Sequence, residues 1–283
     1  MIDSLLLPFQ LPFMQSAFIV ASLIAIPMAM MSCFVVLKGW SLLGDAVSHA
    51  VLPGIIGAYV LGIPMIVGAF VTGLACAILS GVIPDHSRIK YDTAIGVVFS
   101  GFFALGLVLY VQVPTTLHLD HILYGDLLGV AQSDILLAIG VCSSVFIILF
   151  IKNKDLSMYC FDPIQTQALG ISLKPLHYGL LIALSLLTVV TLSVAGLILS
   201  IGLLITPGAI AFLLARRFGQ MQVIAICSTL VSNIGGLYAS FFLNTAPAPT
   251  ITMALAICFS AALLVRRLRQ SVRFGIIKIP SQN

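Results

Sequence analysis

The stretch SAFIVASLIAIPMAMMSCFVVLK, residues 16–38, decides the fold class of this chain. It contains no charged residue before its last position, Lys38, and it is long enough to cross the roughly 30 Å hydrocarbon core of a bilayer as one helix. Similar apolar runs recur as far as Val265, so that 60% of the 283 residues are hydrophobic and only 8% are charged. Because a soluble domain usually carries about a quarter charged residues, this composition excludes a water-soluble fold.

The spacing of the apolar runs predicts about nine membrane spans, with eight as the alternative if one span is broken. The division near Ala195–Gly196 depends only on a predicted tight turn. We therefore expect an all-α polytopic transmembrane helical bundle, forming a single domain over residues 1–283. The predicted spans lie near residues 16–37, 40–61, 64–83, 93–113, 133–151, 177–195, 197–214, 222–243 and 248–265.

The basic residues all fall in segments on one side of these spans. By the positive-inside rule that side is the cytoplasm, which predicts an amino terminus outside and a cytoplasmic tail of about 266–283. The net charge of +4 then reflects topology, and we expect no nucleic-acid partner. The thirteen basic residues are Lys38, Arg88, Lys90, Lys152, Lys154, Lys174, Arg216, Arg217, Arg266, Arg267, Arg269, Arg273 and Lys278.

One ionisable pair, Asp45 and His49, lies within a predicted span, in the sequence GDAVSHAVLPG at residues 44–54. Residues four apart share a helix face, and charged groups inside a bilayer usually mark an ion path. A carboxylate and an imidazole are natural ligands for manganese, iron or zinc. Alternatively, the pair bonds to itself or to neighbouring helices and only stabilises the bundle. Two ligands cannot saturate a transition metal, so a second copy of the site or other side chains must contribute.

The predicted outer loop carries three further polar residues close together, His118, Asp120 and His121. Solvated loops often contain His and Asp, so the spacing alone is weak evidence for a metal site. We interpret these residues as an outer gate or docking surface.

The inner segment at about 155–172 contains a predicted short helix. Asp162 supplies an N-cap, Pro163 suits the first helical position, and Gly170 ends the helix. Such a helix either lies on the membrane surface or docks on a partner. Its apolar side chains are Ile164, Ala168 and Leu169.

At these motifs the sequence resembles the metal-ion permease family of ABC importers over nearly its full length. The resemblance is greatest to permeases of manganese and chelated-iron systems, some of which pair two related permease subunits. The matching stretches are GDAVSHAVLPG at 44–54, DTAIG at 92–96, HILYG at 121–125, FDP at 161–163 with ALG at 168–170, and GLILSIGLLITP at 196–207.

The resemblance implies an ABC importer permease in the bacterial cytoplasmic membrane, with a periplasmic amino terminus and a cytoplasmic carboxyl terminus. A second permease copy, or a related permease, would pair with it on ATP-binding cassette subunits, and a periplasmic metal-binding protein would deliver manganese, iron or zinc as substrate. No permanently bound cofactor is implied. Asp45 and His49 would line the metal path. The ATPase-coupling helix would be formed by Phe161, Asp162, Pro163, Ala168, Leu169 and Gly170.

Two other classes of membrane protein compete with this interpretation. An ion-coupled secondary metal transporter would need further intramembrane acids, and Asp45 is the clear one. An intramembrane metalloenzyme is disfavoured because the chain has no H-E-x-x-H motif and no glutamate. The chain also lacks G-x-x-x-x-G-K-[ST], so we expect no enzyme activity in it and assign ATP hydrolysis to a separate subunit.

Overall fold

The computed structural model describes residues 7–113, 125 and 127–277, and throughout these ranges the regular structure is α-helical. Long apolar helices recur through these ranges, as the hydropathy pattern predicts. The helices are α1 Pro12–Lys38, α2 Ser41–Ala50, α3 Leu52–Leu61, α4 Met65–His86, α5 Tyr91–Gln112, α6 Gln132–Ile151, α7 Asn153–Phe161, α8 Pro163–Ala168, α9 Leu173–Leu214, α10 Phe218–Leu243 and α11 Pro247–Ile277.

The span predicted at 40–61 consists of two helices, α2 and α3, separated at Val51. Proline has no backbone N–H, so Pro53 cannot donate to the carbonyl of His49 four residues earlier. The helix is therefore interrupted at Val51, two residues after His49. Together α2 and α3 still form one apolar segment, Ser41–Leu61, that is long enough to cross a membrane.

The helix α9 is a hairpin of two arms. Gly196 lies inside it with φ 81° and ψ 174°, a left-handed backbone conformation that favours glycine. Ser200 Oγ donates to the carbonyl of Thr188 at 3.4 Å, whereas twelve residues would span about 18 Å along a continuous helix. The arms therefore fold back on each other at the predicted turn.

In the described part of the chain, eight helical segments are long and apolar enough to cross a membrane when α9 is counted once. Counting its two arms separately gives nine segments. This confirms the predicted bundle of about nine spans, in which the segment at 197–214 is the second arm of the hairpin.

The hairpin forms the centre of the bundle and contacts α1, α2, α4, α6, α10 and α11. Its second arm is joined to α1 by Ser32, a buried side chain that reaches the segment around Pro207. Ser32 Oγ donates to the carbonyl of Ile205 at 3.2 Å and accepts the N–H of Gly208 at 2.8 Å. These bonds stabilise the backbone around a proline that cannot complete the helical ladder.

Several basic residues lie together at one end of the bundle, the lysine-rich end. Lys38 and Lys174 line one cavity there, and a second cavity of about 270 Å³ is lined by Leu37, Phe161, Arg216, Arg217 and Arg266. At the opposite end, Gly125 packs so closely on the Ala195–Gly196 turn that a side chain at Gly125 would overlap its backbone. The hairpin turn and the loop containing Gly125 therefore share one end of the bundle.

Candidate functional site

The helix α2 has one packed face and one open face. Leu43, Ala46, Val47 and Ala50 are buried, and a methyl group at Gly44 would overlap Leu204 of the hairpin. Small and β-branched residues on this face let α2 pack closely against α4 and α9. The open face carries Asp45 and His49.

The structure confirms that Asp45 and His49 share a helix face. His49 Nε2 lies 3.5 Å from Asp45 Oδ1, and the side chains are 25% exposed for His49 and 41% exposed for Asp45. This separation is longer than an ordinary hydrogen bond of about 2.7–3.2 Å. The two groups are close enough to act on one ion, and their donor atoms are not locked to each other.

The imidazole of His49 is held by two aromatic rings of α5. The ring centroid of Phe99 is 5.3 Å from that of His49, and the centroid of Phe103 is 5.4 Å away on the edge of the imidazole. These contacts orient the ring through packing. The sequence analysis missed both phenylalanines, because an aromatic residue in an apolar span carries no sign of which neighbour it contacts.

The described residues of this chain contain no group of three or more His, Cys, Asp or Glu side chains that could hold a metal ion. The pair supplies one oxygen and one nitrogen, whereas protein-bound transition metals usually take four or more ligands. His118, Asp120 and His121 lie outside the described residues, as does Lys278. Asp45 and His49 of one chain alone would therefore supply only two of the ligands that such an ion needs.

The predicted inner helix is present as α8. Asp162 Oδ1 accepts the backbone N–H of Gln165 at 3.0 Å, Pro163 occupies the first turn, and Gly170 has φ 80° just beyond the end. Thr166 is fully buried and donates through Oγ1 to the carbonyl of Asp162 at 2.8 Å. The cap, the proline and the glycine stop therefore form as the sequence predicts.

This segment exposes four apolar side chains beside the polar side chains of Asp162, Gln165 and Gln167. Ile164 is 83% exposed and Leu169 is 60% exposed, and Phe161 and Ala168 are exposed beside them. The lysine-rich end thus carries an uncovered apolar surface, which we call the apolar knob and define by Phe161, Ile164, Ala168 and Leu169. Uncovered apolar clusters of this kind mark interaction sites.

The apolar knob is attached to the bundle through α7. Asn153 and Gln222 exchange two amide hydrogen bonds, of 2.9 and 2.8 Å, which join the start of α7 to α10. Lys38 Nζ donates to the carbonyl of Tyr159 at 3.1 Å and lies 3.4 Å above the centroid of its ring. These contacts join α7 to Lys38, three residues before α2 begins.

Tyr159 also connects to the start of the hairpin. Its hydroxyl lies 2.9 Å from Nδ1 of His177, and the His177 ring packs edge-on against Trp40 at 5.3 Å between centroids. Sequence analysis did not find this cluster, because its members come from three distant parts of the chain. The neighbouring Cys160 is partly buried, and this desolvation raises its pKa to about 11 despite the opposing effect of Lys38. It is a neutral thiol at physiological pH and a poor metal ligand.

The whole chain is similar to known membrane transport proteins. The sequence pattern of the ABC 3 transport family matches residues 10–266. The chelated iron transport system membrane protein YfeD of Yersinia pestis is 44% identical over 262 residues, covering 93% of this chain and 88% of that protein. The manganese transport system membrane protein MntB of Synechocystis is 40% identical over 257 residues, covering 91% and 84%.

A solved structure, PsaBC from Streptococcus pneumoniae in complex with Fab, superposes with a TM-score of 0.83 at 35% identity, covering 93% of this chain and 95% of the matched chain. An inward-facing metal-chelate type ABC transporter shares the fold at a TM-score of 0.66 and 14% identity, covering 90% of this chain and 86% of the matched chain.

Proposed function

The chain belongs to the ABC 3 transport family, and on that premise we propose that it is the membrane-spanning permease subunit of an ABC importer for a divalent transition metal. Relatives at 44% and 40% identity are named for chelated iron and for manganese, which favours these two metals over zinc as the substrate. The Asp45–His49 pair supplies ligands that suit all three.

The observation that carries this proposal is the position of Asp45 and His49 on the open face of α2. A carboxylate that is 41% exposed on the surface of a membrane bundle would be costly against lipid. Covering this face with a second permease subunit removes that cost. A second subunit with the same pair would bring two oxygens and two nitrogens together, enough for a four-coordinate ion.

The apolar knob supports a separate ATPase partner. The sequence has no nucleotide-binding motif, so the energy for transport must arrive through a contact. Exposed Ile164 and Leu169 suit an apolar groove in an ATP-binding cassette subunit. Movement of α7 and α8 would then reach Lys38 and the metal-binding helix through Tyr159.

We place the lysine-rich end in the cytoplasm on the positive-inside rule, within the bacterial inner membrane. Metal from a periplasmic binding protein would enter past the segment containing His118, Asp120 and His121 and leave at the lysine-rich end.

A single cysteine tests this orientation, in a background where the six native cysteines are replaced by serine. Thr245→Cys should react with an impermeant thiol reagent in spheroplasts, and Lys154→Cys should not; the opposite labelling would reverse the orientation.

Energy dependence separates this function from an ion-coupled secondary transporter. Of the other acids within described membrane spans, Asp92 and Asp134 lie in the first turns of their helices, where solvent reaches them. We expect uptake of radioactive manganese or iron to stop when ATP is depleted and to continue when proton and sodium gradients are dissipated. The tagged chain should also copurify with an ATPase. Uptake that follows an ion gradient and not ATP would replace the proposal with a secondary transporter.

A further inference from the structure

A cavity of about 420 Å³ opens at the lysine-rich end between the ends of α1 and α4, the start of α9, and the α7–α8 connection. It lies apart from Asp45 and His49 and from the outward face of the apolar knob. The lining residues that matter here are Lys38, Gly81, Tyr159, Lys174, His177 and Tyr178.

The cavity is cationic. Among the side chains that the structure describes, no acid lines this cavity, and the ion pairs are His49–Asp45 and Lys152–Asp155. Neither Lys38 nor Lys174 therefore has a carboxylate partner in the described part of the chain. Lys38 uses one donor on the Tyr159 carbonyl and keeps further donors for another acceptor. Lys174 is exposed at the rim. Two lysines without a carboxylate favour an anion.

An apolar track leads from this cavity along the outside of α9. Tyr178 lines the cavity and is 42% exposed, and Ile182, one turn further on the same face, is 40% exposed. Leu186 continues the row and is partly buried. Because α9 runs from the lysine-rich end into the span, this row leads toward the hydrocarbon core. The rim residue Tyr178 has the amphipathic side chain typical of the membrane interface.

We propose that this cavity binds the phosphate headgroup of an anionic phospholipid from the cytoplasmic leaflet, with an acyl chain along Tyr178 and Ile182. Lys38 and Lys174 contact the phosphate, in the manner of basic pockets between transmembrane helices. The apolar track favours a lipid over an acidic side chain of the ATPase, because a protein carboxylate would leave Tyr178 and Ile182 uncovered. The assignment to that leaflet depends on the proposed orientation, whereas lipid binding itself does not depend on transport.

Trp40 provides a direct readout, since it is the single tryptophan of the chain and its ring packs on His177 in the cavity wall. The full-length chain is reconstituted in phosphatidylcholine bilayers that contain increasing fractions of a brominated lipid. In one series this lipid is phosphatidylglycerol brominated near the glycerol backbone, and in the control series it is equally brominated phosphatidylcholine. We expect brominated phosphatidylglycerol to quench Trp40 at a several-fold lower mole fraction, since each lysine near an anionic lipid contributes roughly fivefold.

Two kinds of variant identify the cavity as the site. Lys38→Gln with Lys174→Gln should remove the preference for the anionic lipid. Gly81→Leu should do the same with both lysines intact, because a side chain at Gly81 would project toward Nε2 of His177, 3.7 Å from its Cβ position. Lys154→Gln, which changes an exposed lysine outside the cavity, is the matched control and should keep the preference.

Four results would overturn the proposal. The first is equal quenching by the two brominated lipids, and the second is a preference for the anionic lipid that survives in both cavity variants. The third is displacement of the lipid by millimolar inorganic phosphate. The fourth is loss of the preference when the copurified ATPase is added. The third result would assign the cavity to soluble phosphate, and the fourth would assign it to the ATPase. The quenching experiment measures lipid binding and does not depend on metal uptake. If the chain does not transport a metal, the quenching result is unchanged, so failure of the proposed function is distinguishable from failure of lipid binding.

Discussion

The helices α2 and α8 carry the two parts of the candidate site, and their open faces hold opposite kinds of side chain. The open face of α2 lies within a membrane span and carries a carboxylate and an imidazole. The open face of α8 lies at the lysine-rich end and carries Ile164 with its apolar neighbours. Each surface is unfavourable in its surroundings, because α2 would expose charged groups to lipid and α8 would expose apolar groups to water. We therefore propose that a partner covers each surface, and that the two partners differ in kind.

The largest loss of metal uptake is expected when the apolar knob is made polar. Leu169→Asp should lower metal uptake by at least about thirtyfold, because a central apolar anchor of an interface contributes about 2 kcal/mol or more. Uptake, membrane abundance and copurification of the ATPase are measured together. The matched control is Gln167→Asp, which changes an exposed polar residue of the same helix and should transport normally. Normal uptake and ATPase association in Leu169→Asp would remove the docking role of α8.

The next test concerns the charged face of α2. Asp45→Asn and His49→Ala should each lower uptake per inserted molecule by at least about tenfold, or about 1.4 kcal/mol in the transport barrier. Each variant loses a metal ligand and makes the span easier to bury. Asp134→Asn, which changes an exposed acid in the first turn of α6, is the control and should be nearly normal.

The alternative role of this pair, in stabilising the bundle, predicts a different pattern. Thermal stability or membrane abundance would fall in Asp45→Asn and His49→Ala, and uptake would fall only in proportion. Uptake of radioactive metal normalised to inserted protein separates the two roles, and near-normal specific uptake in both variants would remove the pair from the metal path.

A smaller effect is expected at the helix cap of α8. Asp162→Ala removes the hydrogen bond to the Gln165 N–H, which costs about 1 kcal/mol of helix stability. In a helix of six residues this loss should loosen the apolar knob and weaken ATPase association severalfold, without changing membrane abundance. Asp162→Asn retains a capping oxygen and should restore most of the association. Equal behaviour of the two variants would show that the cap is not what positions α8.

The smallest effect on uptake is expected at Tyr159, which connects the α7–α8 segment to the residues before α2. Tyr159→Phe removes the hydroxyl that lies 2.9 Å from His177 Nδ1 but keeps the ring beneath Lys38 and the carbonyl that Lys38 binds. One hydrogen bond is worth about 1 kcal/mol, so the midpoint of thermal unfolding should fall by a few degrees and uptake by less than about threefold. A larger loss of uptake than of stability would show that the hydroxyl itself takes part in coupling.

The short helix α8 could be predicted fully from sequence, because an N-cap, a proline at the first turn and a glycine stop act within a few residues. The spans could be predicted for a similar reason, since a bilayer sets their length and polarity. The shared face of Asp45 and His49 also follows from local helical spacing.

Other features depend on contacts that spacing does not show. The break at Val51 depends on how the chain packs after Pro53 loses a hydrogen bond, and many prolines within membrane spans only bend a helix. Phe99 and Phe103 contact His49 because α5 packs against α2. The cavity at Lys38 and Lys174 joins residues 136 positions apart. Such features require the tertiary fold.

The central position of the α9 hairpin has a consequence for biosynthesis. The ribosome completes α1, α2, α4 and α6 before it begins α9 at Leu173, yet all four of those helices pack on it. Until the second arm emerges, Ser32 lacks the backbone of Ile205 and Gly208 to which it bonds. The nascent bundle therefore lacks these bonds until the second arm of α9 has been made. A product truncated before Ile205 would leave the buried Ser32 hydroxyl without either of these bonds.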